Sequence, residues 1–164
     1  MRSAGLVPYR SSSGLELLVA HPGGPYFARR DNGWWSIIKG MVESGESDLE
    51  AAAREFAEET GWEAPPGPWI ELGETTLKSR KVVVAYAVAA DLDPDTIEPG
   101  TFQMGGRHYP EIDRVQWMAP ELARVKLNPA LGVFIDRLLS HLSADGNNPD
   151  RRRLMGEVEQ EQKT

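Results

Sequence analysis

The chain has 164 residues and a net charge of −7, with 25 acidic and 18 basic side chains and no cysteine. That length fits a single domain able to bury its own core. The absence of cysteine excludes disulfides, thiolate metal sites and a cysteine nucleophile. The negative charge disfavours non-specific binding to nucleic acid or to an anionic membrane.

The apolar runs of the sequence are short. None approaches the about 18 residues that a membrane-spanning helix needs, and the N-terminus has no long apolar stretch of the kind that signal peptides carry. We therefore expect a cytoplasmic protein whose partners include neither membranes nor nucleic acid.

Apolar runs separated by turn residues predict strands along the chain. The first pair covers residues 3–8 and 15–20 around the turn sequence SSSG, and Pro8 favours a strand end or an edge. Further strands are predicted at residues 34–38, 69–77, 81–92 and 114–118. Residues 93–112 have the composition of a loop, in which residues 101–104 are a candidate short strand.

A helix with clear end signals is predicted over residues 47–60. Ser47 and Glu50 match the S-x-x-E capping box, and Gly61 suits the C-terminal cap. Residues 120–125 and 129–142 are predicted helices that each open on a proline. This order predicts an α/β domain over residues 1–142, with helices packed on a mixed sheet, and a polar tail over residues 143–164.

Nearly all of the excess negative charge lies in one segment. Between Gly40 and Trp62, seven acidic residues accompany a single base, Arg54, so this segment carries −6 and the rest of the chain only −1. Such a cluster is commonly a solvated face. It also suits a site whose charge is completed by divalent cations.

Three carboxylates share one side of the predicted helix. At about 100° per residue, Glu58 and Glu59 lie at roughly −60° and +40° from Glu55. Carboxylates at these spacings repel one another, and a hard divalent cation would offset that cost. The predicted apolar face carries Leu49, Ala52, Phe56 and Thr60.

The same segment matches the pattern G-x5-E-x7-R-E-U-x-E-E-x-G-U, where U is a bulky apolar residue. The matching positions are Gly40, Glu46, Arg54, Glu55, Phe56, Glu58, Glu59, Gly61 and Trp62. Chance agreement at the seven fixed positions is on the order of 10⁻⁸ per starting point. This pattern is the signature of the Nudix hydrolases, and the chain resembles that family.

The resemblance implies a Nudix fold, in which a mixed sheet is sandwiched between helices. It also implies metal-dependent hydrolysis of a nucleoside diphosphate linked to another group. Glu55, Glu58 and Glu59 would bind Mg²⁺ or Mn²⁺ together with the backbone carbonyl of Lys39. Gly40, Glu46, Arg54 and Gly61 would have structural roles, and we expect Arg54 to pair with an acid such as Glu46.

A later acidic position extends the resemblance. Glu111, six residues before Trp117, looks like the downstream segment of the Nudix subgroup that cleaves dinucleoside tetraphosphates. Glu111 is therefore a candidate metal ligand or general base, and Glu55 is the alternative base. Glu58 is placed in the catalytic set with them. We favour dinucleoside polyphosphates or nucleoside triphosphates as substrates.

Other functions remain open at this stage. ADP-ribose and nucleotide sugars are alternative substrates, because the motif does not distinguish them. A nucleotide sensor without catalysis is the alternative of another class, although such domains commonly lose the carboxylates present here. RNA-end processing is disfavoured by the acidic balance.

Substrate contacts are predicted outside the motif. Phosphates would bind the cations of the LKSRK segment, Lys78, Arg80 and Lys81, and a base would stack on aromatic side chains such as Tyr26 and Phe27. Trp34 and Phe102 are further candidate platforms. His21 is interpreted as a structural turn residue, with a pocket role as the alternative. The expected partner is a small-molecule nucleotide, and a homodimer is left open.

The sequence departs from the family pattern at one position. Many relatives have proline directly before the Lys-Gly that opens the motif, whereas this chain has Ile38 before Lys39 and Gly40. We expect the loop there to be less rigid and the Lys39 carbonyl to be less firmly held.

Overall fold

A computed structural model describes residues 1–146 of the chain. Its strands are β1 (Arg2–Arg10), β2 (Glu16–Pro22), β3 (Ile38–Met41), β4 (Ile70–Thr76), β5 (Val82–Ala89), β6 (Thr101–Met104), β7 (Arg107–Pro110) and β8 (Ile112–Met118). Its α-helices are α1 (Asp48–Thr60), α2 (Pro120–Lys126) and α3 (Gly132–Gly146). Most of the predicted tail, residues 147–164, lies outside the described residues.

The main sheet is mixed, as the sequence predicts. Its strands run in the order β4-β5-β1-β2-β8, with β1 and β5 parallel and the other neighbours antiparallel. Strand β3 pairs with the first half of β1, and β2 pairs with its end. Strands β6 and β7 form a separate ribbon. Strand β1 is therefore central, and its residues 3–8 are buried without interruption.

Helices cover both faces of the sheet. Strand β5 alternates between them: Val83 and Ala85 join one apolar cluster, and Val84 joins the other, as a strand with two buried faces requires. On one face α1 inserts Phe56, which is fully buried. On the other face α3 inserts Phe134. This arrangement confirms the α/β prediction of a sheet between helices.

Both predicted caps of α1 are present. The Ser47 hydroxyl accepts a hydrogen bond from the Glu50 N–H, and the Glu50 carboxylate accepts one from the Ser47 N–H, both at 3.2 Å. Gly61 ends the helix with φ of 76°, which suits glycine. The predicted apolar face is wrong at Leu49, which is 49% exposed. The buried stripe passes through Ala51 instead.

The third strand is displaced from its predicted position. We expected a strand at residues 34–38, but β3 begins at Ile38 because residues 38–41 pair with β1. Ile38 is fully buried opposite Leu6, and Lys39 lies opposite Gly5. The Lys39 backbone is thus part of the sheet, where a looser loop was expected.

The segment 93–112 contains more structure than its composition predicts. Strand β6 occupies the candidate residues 101–104, and β7 pairs with it although it is polar and ends in proline. The last predicted helix is divided into a 3₁₀ turn (Pro129–Leu131) and α3, which extends past residue 142 to Gly146. Among the described residues, no helix has both the length and the apolar character needed to cross a membrane.

Candidate active site

Four carboxylates line one open cavity of about 410 Å³. Three of them, Glu55, Glu58 and Glu59, lie on one side of α1. The fourth, Glu111, directly precedes β8. The rest of the lining is formed by Gly40, Met41, Gly100 and Thr101. The structure therefore brings the three motif carboxylates together with the downstream acid that the sequence singled out.

Backbone hydrogen bonds hold Glu111 beside α1. The Glu111 N–H donates to the Gly100 carbonyl at 2.8 Å, and the Gly100 N–H donates to the Glu58 carbonyl at 3.0 Å. The Glu98 N–H donates to the Thr60 carbonyl at 2.7 Å. Residues 98–100 thus connect the last turn of α1 to the segment that carries Glu111.

Gly40 makes room for one of the carboxylates. A Cβ atom at this position would lie 1.9 Å from the carboxyl carbon of Glu55. Any side chain would therefore displace Glu55. The requirement for glycine therefore comes from this close approach between β3 and α1.

Arg54 organises the loop before the helix. Its Nε and Nη2 donate to the two carboxylate oxygens of Glu46 at 2.7 and 2.9 Å, so the expected pair is present. Nη2 also donates to the Met41 carbonyl at 2.9 Å. The Arg54 guanidinium holds the pKa of Glu46 down at about 2. The same guanidinium reaches the cavity, where Nη1 donates to Glu55 at 2.8 Å and to Glu58 at 3.2 Å.

The cavity concentrates negative charge in a partly buried place. Burial, followed by repulsion from Glu55, raises the pKa of Glu59 to about 8, and Glu111 adds to this shift while Lys39 opposes it. Burial also raises the pKa of Glu55, against the effect of Arg54. Burial lowers the pKa of Lys39. The ammonium group of Lys39 and the guanidinium group of Arg54 therefore compensate only part of the negative charge of the four carboxylates.

This donor set fits a hard divalent cation. It consists of carboxylate oxygens without thiolates, the chemistry that Mg²⁺ and Mn²⁺ prefer. Within residues 1–146, however, no three acidic or histidine side chains already converge on one ion position. One carboxylate oxygen of Glu55 and one of Glu58 instead accept hydrogen bonds from Arg54.

A second cavity of about 170 Å³ adjoins the first and shares Glu59 and Glu111 with it. Ser36 and Lys39 also line it. The Ser36 hydroxyl oxygen is buried and has no hydrogen-bond partner among the described residues. Sequence reasoning missed Ser36, because one serine in an apolar run carries no signal.

The basic residues predicted to bind phosphate lie away from the cavity lining. Lys78 and Arg80 are exposed in the turn between β4 and β5, and neither lines the two cavities described above. Lys81 is close enough to Lys39 to contribute to the lowering of the pKa of Lys39. The phosphate role of all three residues stays a prediction.

The predicted aromatic platforms form a surface on the loop between β2 and β3. We call it the aromatic surface; it consists of Tyr26, Phe27, Arg30 and Trp34. The Arg30 guanidinium lies 4.6 Å from the Tyr26 ring centre and 4.2 Å from that of Trp34. Tyr26 is 59% exposed. Because the Arg30 guanidinium already contacts the Tyr26 and Trp34 rings, a nucleobase would have to stack on the ring faces that Arg30 leaves uncovered.

The β6–β7 ribbon lies between the aromatic surface and the carboxylates. Phe102 contacts the Tyr109 ring at 5.9 Å, and its tip lies close to Gly24. The neighbouring Thr101 lines the carboxylate cavity. The Gly23 N–H donates to the Glu111 carbonyl at 3.0 Å. The loop that carries the aromatic surface is therefore joined to Glu111.

A mixed sheet between helices, with a capped helix presenting clustered carboxylates, defines a Nudix-type domain. A family model described as NUDIX domain matches residues 1–138. The chain belongs to the Nudix family, whose members are in general pyrophosphohydrolases that use divalent metal ions.

Solved structures support the same fold. The chain is similar to an Ap4A hydrolase of C. elegans in a binary complex (20% identity, 87% of this chain and 98% of that chain, TM-score 0.59). It is also similar to the NUDIX domain of Shewanella oneidensis NrtR complexed with ADP ribose (16% identity, 87% and 88%, TM-score 0.59). A third is the MutT protein from Methanosarcina mazei Go1 (21% identity, 90% and 96%, TM-score 0.58). Among curated proteins, none matches significantly.

Proposed function

We propose that this chain hydrolyses the diphosphate linkage of a nucleotide in a reaction that depends on Mg²⁺ or Mn²⁺. The observation that carries this proposal is the meeting of Glu111 with Glu55, Glu58 and Glu59 around one cavity. An exposed acidic helix face would not place a carboxylate from a distant segment on the same cavity.

The carboxylates have distinct surroundings within this proposal. Glu55 and Glu59 are half-buried, whereas Glu58 and Glu111 are exposed. Glu59 and Glu111 also line the second cavity. Glu55, Glu58, Glu59, Glu111 and the Lys39 carbonyl would hold the cation. When bound, Mg²⁺ or Mn²⁺ neutralises the diphosphate and activates the attacking water.

The general base in this proposal is Glu55 or Glu111. The pKa of Glu55 is raised by burial, which makes its carboxylate a better proton acceptor. The hydrogen bond from Arg54 holds one of its oxygens, Oε1, at 2.8 Å, and the other, Oε2, lies against Gly40. Glu111 has no such arginine contact among those described and remains the alternative.

We favour dinucleoside polyphosphates or nucleoside triphosphates as substrates. The position of Glu111 on the cavity supports this choice, and the similar C. elegans structure is described as an Ap4A hydrolase. ADP-ribose is the second candidate, because the similar NrtR domain was solved with that ligand. A long polyphosphate would extend from the carboxylates toward the aromatic surface or toward the turn that carries Lys78 and Arg80.

A substrate panel tests the proposal. The purified chain is incubated with diadenosine tetraphosphate, ATP, ADP-ribose and UDP-glucose, each with Mg²⁺, with Mn²⁺ and with EDTA, and the products are separated. We expect one compound to be cleaved at a diphosphate linkage, with turnover lost in EDTA and restored by added cation, because the carboxylates cannot by themselves neutralise the diphosphate.

The other outcomes of the panel are equally informative. A strong preference for ADP-ribose would contradict the choice of substrate while leaving the hydrolase intact. A folded protein that binds the cation and a nucleotide but cleaves none of the compounds would contradict the hydrolase and support the sensor.

A further inference from the structure

His21 is a buried histidine that the proposed reaction does not use. It lies in β2, is fully buried, and lines neither cavity described above. Its Nδ1 atom is 2.9 Å from both carboxylate oxygens of Asp113, and its Nε2 atom is 2.7 Å from the Arg30 carbonyl oxygen. The Trp35 ring packs against its edge at 5.1 Å. The sequence suggested a turn residue, and the structure instead places it inside the sheet.

Both ring nitrogens of His21 have a polar partner, so the buried ring is held at two points. Losing either partner would leave a buried polar atom without a hydrogen bond, which is costly. The ring therefore fixes the Arg30 carbonyl relative to Asp113.

The two partners of His21 belong to different parts of the molecule. Asp113 lies in β8, two residues after Glu111. Arg30 lies in the loop between β2 and β3, where its guanidinium packs on Tyr26 and Trp34 and its Nε donates to the Tyr26 carbonyl at 3.3 Å. His21 therefore joins the aromatic surface to the strand that follows Glu111.

The local strand geometry agrees with this role. The register of β2 against β8 shifts between His21 and Pro22, at the point where the chain leaves the sheet for the loop. Such irregularities re-aim side chains near functional sites. Beyond the shift, the Gly23 N–H binds the Glu111 carbonyl, so the loop is attached to the Glu111–Asp113 segment at two points.

We infer that His21 is a positioning residue: hydrogen-bonded to Asp113 and to the Arg30 carbonyl, it fixes the aromatic surface relative to Glu111 and so sets the affinity for the nucleoside part of the substrate. This inference rests on the proposed function. It requires that substrate binding, and not the chemical step, depends on His21.

The positioning role is tested by steady-state kinetics with diadenosine tetraphosphate and Mg²⁺. For His21→Gln we expect KM to rise by about tenfold, the scale of losing one or two buried hydrogen bonds, with kcat within about twofold of wild type. In Asp113→Asn the amide can still hydrogen-bond to Nδ1, so the KM of this variant stays near the wild-type value. An unchanged KM in His21→Gln, or a loss confined to kcat, would overturn the inference.

A comparison variant separates this inference from the proposed function. Trp34→Ala removes one ring of the aromatic surface and leaves the His21 contacts in place. A raised KM in Trp34→Ala with an unchanged KM in His21→Gln refutes the role of His21 and keeps the proposed function. If the wild-type chain cleaves no compound, the proposed function fails. The role of His21 is then decided by calorimetry with the same nucleotide, whose Kd should rise by about tenfold in His21→Gln; an unchanged Kd would overturn the inference.

Discussion

Replacing Glu59 with glutamine is expected to reduce kcat with Mg²⁺ by about 100-fold or more, the scale of losing one charged group that acts on the transition state. Glu59 is half-buried, and the neighbouring Glu55 and Glu111 both raise its pKa. Removing its charge weakens the cation site. Glutamine keeps its shape, and because the pKa of Glu59 is raised to about 8, glutamine also resembles the protonated form. The free energy of unfolding should therefore stay nearly unchanged.

The matched control for this variant is Glu63→Gln. Glu63 is an exposed acid just after α1 and does not line the carboxylate cavity. Glu63→Gln changes the net charge by the same amount as Glu59→Gln. Because Glu63 lies outside the cavity lining, the kcat of this variant should equal that of wild type. Cation affinity is measured by calorimetry alongside kcat. Full activity in Glu59→Gln would show that this carboxylate is not part of the site.

Replacing Phe56 with alanine is expected to lower the free energy of unfolding by about 3–5 kcal/mol. Phe56 is fully buried against the sheet and lies 6.1 Å from the Trp62 ring centre. Its loss leaves a cavity under the helix that carries the carboxylates. Urea unfolding followed by circular dichroism measures the change, which should appear as a lower midpoint.

Leu49→Ala supplies the control on the same helix. Leu49 is half exposed, so its truncation should change the free energy of unfolding by at most about 0.5 kcal/mol. The sequence placed both residues on the apolar face. Equal destabilisation by the two variants would mean that α1 packs on the sheet through the face that the sequence predicted, against the buried stripe described above.

The sequence predicts a helix or strand well when residues within that element determine its bounds. The capping box at Ser47 and the glycine at position 61 define α1 because caps depend on the first and last turns alone. Strand β5 was also predicted, because a run of apolar residues is typical of a strand buried on both faces. Strand β3 was misplaced, since its bounds depend on pairing with β1, which lies more than thirty residues earlier.

The same distinction applies to the site. The motif located Glu55, Glu58 and Glu59 from their spacing, and the resemblance pointed to Glu111. The steric reason for Gly40 could not be predicted, because it depends on the distance between β3 and the Glu55 carboxyl group. Arg54 bonds to Met41, and His21 bonds to Asp113 and Arg30. These hydrogen bonds join segments that are distant in the chain, so no local sequence pattern predicts them.

We expect Glu55, Glu58, Glu59 and Glu111 to bind the divalent cation together. Crystals grown with MnCl₂ and measured near the manganese absorption edge would locate the cation, because the anomalous signal identifies manganese. Anomalous density is expected at about 2 Å from a Glu59 oxygen and from an oxygen of at least one of the other three carboxylates. Manganese bound only elsewhere on the protein, or no manganese at a saturating concentration, would show that these carboxylates do not form the cation site.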